Sequence, residues 1–189
     1  MSQAIEMSPA TTRALRIAGW SLAAGLLALP AVAMQFTDEV DWTGSDFLFA
    51  AIMFTTIGGL LELAARASAS LAYRVGSAMA VGTGFLTIWI TLAVGIVGAE
   101  DNPQNILYFG IVGMAICVAV AALGDPRALA RGMRAAAAFQ GLVCLVHVID
   151  GIYPAVLIDG FFTMTWLTAG ALFARAAKER ETAARVTQS

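Results

Sequence analysis

The chain has 189 residues, 59% of them hydrophobic and only 13% charged, with a mean hydropathy of +0.79. A soluble domain carries about one quarter charged residues, so a water-facing globule is excluded, and the apolar runs leave no length for one beside them. The net charge of −2 excludes no partner by itself; the placement of the charges is what informs.

A segment needs about 20 mostly apolar residues to cross the hydrocarbon core of a bilayer. Six stretches qualify: residues 14–35, 47–66, 74–98, 104–123, 133–151 and 155–175. The expected fold is all-α, an integral membrane bundle of six transmembrane helices making one transmembrane domain over 1–189.

Residues 1–12 are polar, and Arg13 and Arg16 precede the first apolar core. Pro30-Ala31-Val32-Ala33 resembles a small-residue cleavage site, so residues 1–33 read either as an uncleaved span, the reading adopted, or as a signal peptide. In the following loop Trp42 reads as an interfacial anchor, and Thr43 with Asp46 three residues on fits a helix cap for the second span. That span carries Gly58-Gly59 and then Glu62, with Arg66 four residues later on the same face. Glu62 therefore reads as an interfacial ion pair near the inner end, or as an inner relay on a transport route. In the third span Gly76, Ala80 and Gly84 recur every fourth position, a stripe that lets another helix come close, which marks it as the expected central helix.

Glu100 and Asp101 sit at the tip of the next hairpin, and Asn102-Pro103 reads as N-cap and first helical residue of the fourth span. GDPRALARGMR, residues 124–134, reads as a short basic loop. In the fifth span Gln140 is a polar group expected to bond between helices. The sole histidine, His147, precedes Asp150 by three positions, on one helix face. Pro154 opens the sixth span and leaves Asp159 slightly inside it. Cys117 and Cys144 fall inside spans without metal-ligand spacing and read as unpaired thiols.

The eleven Lys and Arg fall at the N-terminus, between spans two and three, between spans four and five, and in the tail. With six spans those segments share one side, and the positive-inside rule places both termini in the cytoplasm. Acids fill the other side: Asp38, Glu39, Asp41 and Asp46, then Glu100 and Asp101, then Asp150 and Asp159. Shifting any boundary by one helix would mix the two sets.

Glu100, Asp101, His147, Asp150 and Asp159 are thus the candidate outer binding site, for a proton, a divalent cation or a small lipophilic ligand, with Glu62 as the inner relay. The competing reading makes the same residues caps and loop ties of a non-catalytic accessory or scaffold subunit. Expected partners are the lipid bilayer and either a second copy or another membrane protein; no basic groove supports nucleic acid. The only lysine lies in the tail, one histidine cannot make a bis-histidine haem site, and no phosphate loop, HExxH or CxxC occurs. No cofactor and no catalytic residue is indicated, and catalysis ranks behind binding.

Trp42 with Asp46-Phe47-Leu48, Glu62-Leu63 followed by Arg66, and Glu100-Asp101-Asn102-Pro103 before Tyr108-Phe109-Gly110 resembles a family of small polytopic bacterial inner-membrane proteins. The likeness covers about residues 42–134. It implies a bacterial cytoplasmic-membrane setting and carries no chemistry.

Overall fold

The computed structural model describes residues 9–188; residues 1–8, the bulk of the polar leader, and Ser189 lie outside the described part. Six α-helices follow one another: α1 (Pro9–Ala33), α2 (Gly44–Ala67), α3 (Leu71–Ala93), α4 (Ile106–Ala122), α5 (Pro126–Ile149) and α6 (Tyr153–Gln188). A short 3₁₀ turn, Pro103–Asn105, leads into α4, and there is no strand among the described residues. All six helical segments, the fourth counted from Pro103, are long and apolar enough to cross a membrane.

The chain divides into two compact units, one running through Leu63 and the other from Ala64. In the first, the Trp20 ring of α1 lies where a Cβ on Gly58 of α2 would come within 2.6 Å of it, so a side chain there would have to displace the end of the indole. The Arg16 guanidinium meets the Glu62 carboxylate at 2.7 Å. Thr43 caps α2 as its spacing suggested: its backbone N–H and its hydroxyl both donate to Asp46 Oδ2, each at 2.7 Å.

In the second unit α6 packs most extensively on α5 and α3, and α5 also packs on α4. The third span was the expected centre, yet α5 has the larger buried share and α6 joins the two sides. The glycine stripe of α3 does admit a neighbour. A Cβ on Gly76 would meet Leu172 Cβ at 3.2 Å and the Ala169 carbonyl at 3.4 Å, both on α6. The tightest approach lies elsewhere: a Cβ on Gly132 of α5 would fall 1.9 Å from Val118 Cγ1 of α4.

Among the boundaries that differ from the sequence reading, three have a local reason in the structure. α3 stops at Ala93 rather than residue 98, because the chain turns at Gly95, whose φ is +73° and where a Cβ would fall 2.5 Å from the Ala99 backbone. The basic segment 124–134 is mostly helix, not loop. Asp125 caps α5, accepting from Arg127 N (3.3 Å) and Ala128 N (3.1 Å), with Pro126 at the first helical position. α6 continues to Gln188 instead of ending at residue 175, its polar extension held by side-chain bonds. Ser70 Oγ donates to Glu179 (2.7 Å), and Arg127 Nε donates to Glu181 (2.9 Å). The start of α3, the start of α5 and the tail of α6 are thereby tied together at one end of this unit.

Candidate functional site

The opposite end of the second unit holds the buried His147 and Asp159. α5 finishes at Ile149, Asp150 and Gly151 turn the chain, and α6 begins at Tyr153. The Gly151 φ of +73° makes that turn. The hairpin brings His147, in the last turn of α5, against Asp159, seven residues into α6. Nδ1 of His147 and Oδ2 of Asp159 are 2.6 Å apart, and the two side chains are 2% and 0% exposed. A carboxylate only accepts, so with Asp159 ionised the bridging hydrogen sits on Nδ1.

The other carboxylate oxygen is also occupied. Tyr108 Oη of α4 donates to Oδ1 at 2.9 Å, and Gln140 Nε2 of α5 donates to the same atom at 2.8 Å. Two helices, α4 and α5, therefore aim three donors at one α6 carboxylate with no exposed surface. Gln140 and His147 are seven residues apart, two turns of one face of α5, which is why both reach it. The titratable groups around the carboxylate are Tyr108 on α4 and Cys144 and His147 on α5. Cys144 Sγ donates to the Val156 carbonyl at 3.7 Å. From α3 the buried residues of this half are Thr83, Thr87 and Thr91, whose hydroxyls bond back to Met79, Thr83 and Thr87 carbonyls.

Of the five outer candidates the fold brings two together. Asp150, expected beside His147, is exposed and closes α5 through its backbone N–H instead, while the imidazole takes Asp159 across the hairpin. Glu100 and Asp101 are exposed in the turn before Asn102. No group of three His, Cys, Asp or Glu side chains able to hold a metal exists among the described residues. Glu62 belongs to the first unit, on Arg16.

No family model, no curated protein and no solved structure matches this chain. Any functional reading therefore rests on the residues themselves.

Sequence reasoning noted Gln140 but missed its partner, and missed Tyr108 as a polar group because an isolated tyrosine in an apolar helix reads as packing. Asn105 was missed altogether. Only 3% exposed, it anchors the 94–102 turn: Oδ1 accepts from Ile96 N (3.1 Å) and Val97 N (3.0 Å), and Nδ2 donates to the Ala99 carbonyl (2.8 Å). Asn102 meanwhile caps the 3₁₀ turn as expected, accepting from Gln104 N at 2.9 Å.

The donor pattern decides what the site can hold. A metal cation needs lone pairs, whereas three of the four side chains point hydrogens at the carboxylate.

Proposed function

We propose that the protein is a multi-pass membrane protein of the bacterial cytoplasmic membrane, with both termini cytoplasmic, that takes up and passes a proton at the His147–Asp159 pair. The carrying observation is a carboxylate with 0% exposure, paired at 2.6 Å with the only histidine, inside two apolar helices. An ionisable pair in such a setting is costly, and in membranes such groups mark proton and substrate routes. Embedding is supported by the outward apolar face of these helices: Leu142, Leu145, Ile149 and Leu157 are 54–77% exposed, and such a surface needs lipid or a partner. The orientation is supported by the basic segments, three of which the Ser70–Glu179 and Arg127–Glu181 bonds hold at one end, away from the pair. With the termini cytoplasmic, Asp159 belongs to the periplasmic half in this reading.

The accessory-subunit reading keeps one specific observation in its favour: Glu100, Asp101 and Asp150 are exposed and separate, as loop ties would be. The two are told apart in proteoliposomes carrying an internal pH dye. After an external acid step, the native protein accelerates internal acidification, Asp159→Asn returns it to the protein-free rate, and Asp101→Asn has no effect. Native protein indistinguishable from empty vesicles sets the proton reading aside in favour of the accessory one.

A further inference from the structure

Among the described residues, three buried side-chain polar atoms have no hydrogen-bond partner: Gln140 Oε1, Thr163 Oγ1 and Trp166 Nε1. They are not scattered. Asp159, Thr163 and Trp166 recur at i, i+4 and i+7 on α6, one face over two turns. Gln140 joins that face directly, through its 2.8 Å bond to Asp159 Oδ1. Thr163 packs on α5 at the same crossing, since a Cβ on Gly141 would lie 3.8 Å from Thr163 Cγ2. Trp166, 1% exposed, reaches toward α3, where a Cβ on Gly84 would lie 4.0 Å from its ring.

Turning the Gln140 amide over relieves nothing, because its oxygen would then face the Asp159 carboxylate. Its Oε1 must find a donor elsewhere. Thr163 is free to donate and to accept, and the Trp166 indole needs an acceptor. An orphaned buried polar atom costs on the order of a lost hydrogen bond, and one species satisfies an acceptor, a donor and a hydroxyl alike.

We infer that water occupies this face as a file about 10 Å long, running inward from Asp159 past Gln140 and Thr163 to Trp166. The inference extends the proton-binding reading by giving Asp159 an inward connection. The face continues toward α3, whose Thr83, Thr87 and Thr91 hydroxyls each spend their hydrogen on a backbone carbonyl and keep lone pairs. Passage along it is hydrogen-bond exchange between waters and the Thr163 hydroxyl: each step breaks one O–H bond as it forms the next, and no group is consumed.

The test is the indole N–H of Trp166, assigned by its loss in Trp166→Phe, in full-length protein reconstituted in nanodiscs. Hydration gives a water cross-peak to this N–H and exchange in D2O far faster than that of the helical amides beside it. Thr163→Val then slows indole exchange by about tenfold or more. An indole N–H without a water cross-peak and as protected as its neighbouring amides overturns the file. So does exchange that Thr163→Val leaves unchanged. The measurement needs no net proton movement. A hydrated Trp166 in a protein inert in the vesicle assay would sink the proton reading and leave the file standing.

Discussion

Replacing Asp159 separates the role of its shape from the role of its charge. Asp159→Leu keeps the branching of the side chain but accepts nothing, and it leaves Tyr108 Oη, Gln140 Nε2 and His147 Nδ1 pointing at methyl groups. Each buried donor left unmade costs about 1–3 kcal/mol, and a ceiling of ~9 kcal/mol follows if none can adapt. Two can: the tyrosine hydroxyl rotates, and a neutral imidazole can carry its hydrogen on Nε2. The expected loss is therefore nearer 3 kcal/mol. Asp159→Asn behaves differently. Its oxygen can keep the bonds from Tyr108 and Gln140, and its Nδ2 can donate to a His147 Nδ1 that has given up its hydrogen. That exchange holds the loss to about 1 kcal/mol or less. Equilibrium unfolding of both variants in mixed micelles, against the native protein, reads the difference directly. A gap of about 2 kcal/mol between Leu and Asn is expected. Equal stability of the two would refute the claim that these donors converge on a carboxylate with no other partner to turn to.

Asn105→Ala removes both hydrogen bonds to the Ile96 and Val97 amides together with the one given to Ala99, so a loss of about 2–3 kcal/mol is expected, with amide exchange rising first at residues 96 and 97. Gly132→Ala drives a Cβ into Val118, which is anchored close to its own backbone, and should lower stability by about 1–3 kcal/mol; Gly141→Ala, whose nearest neighbour would be at 3.8 Å, is the tolerated control in the same melts. Glu62→Gln should cost under about 1 kcal/mol as its share in the Arg16 pair, because the Arg16 side chain is 51% exposed. A larger loss in thermal denaturation would show that Glu62 carries more than this contact.

How much of this was legible in the sequence depends on the distance over which each signal acts. Helix number and caps are local, and they could be read. Six apolar runs gave six helices, Thr43 with Asp46 gave a cap, and Asn102-Pro103 gave the start of the 3₁₀ turn. Asp125-Pro126 was an equally good start signal, but the arginines after it drew the reading toward a loop, although arginine is a good helix former. The site is non-local. His147 lies three residues from Asp150 and twelve from Asp159, so helix periodicity favoured the nearer acid. What decides between them is the sharp turn at Gly151, which folds α6 back so that the seventh residue of α6 meets the last turn of α5. Glu100 and Asp101 read as site candidates from their place at a hairpin tip; in the fold they are exposed beside a turn whose order comes from Asn105 instead.

A single histidine makes the pair accessible to one clean spectrum. Protein labelled with 15N only in histidine and reconstituted in lipid should give one imidazole, its Nδ1 protonated and strongly hydrogen-bonded, and Asp159→Asn should shift that resonance while Asp150→Asn leaves it in place. An imidazole in rapid tautomeric exchange with solvent, unmoved by Asp159→Asn, would contradict the buried proton-sharing pair and the proton reading built on it.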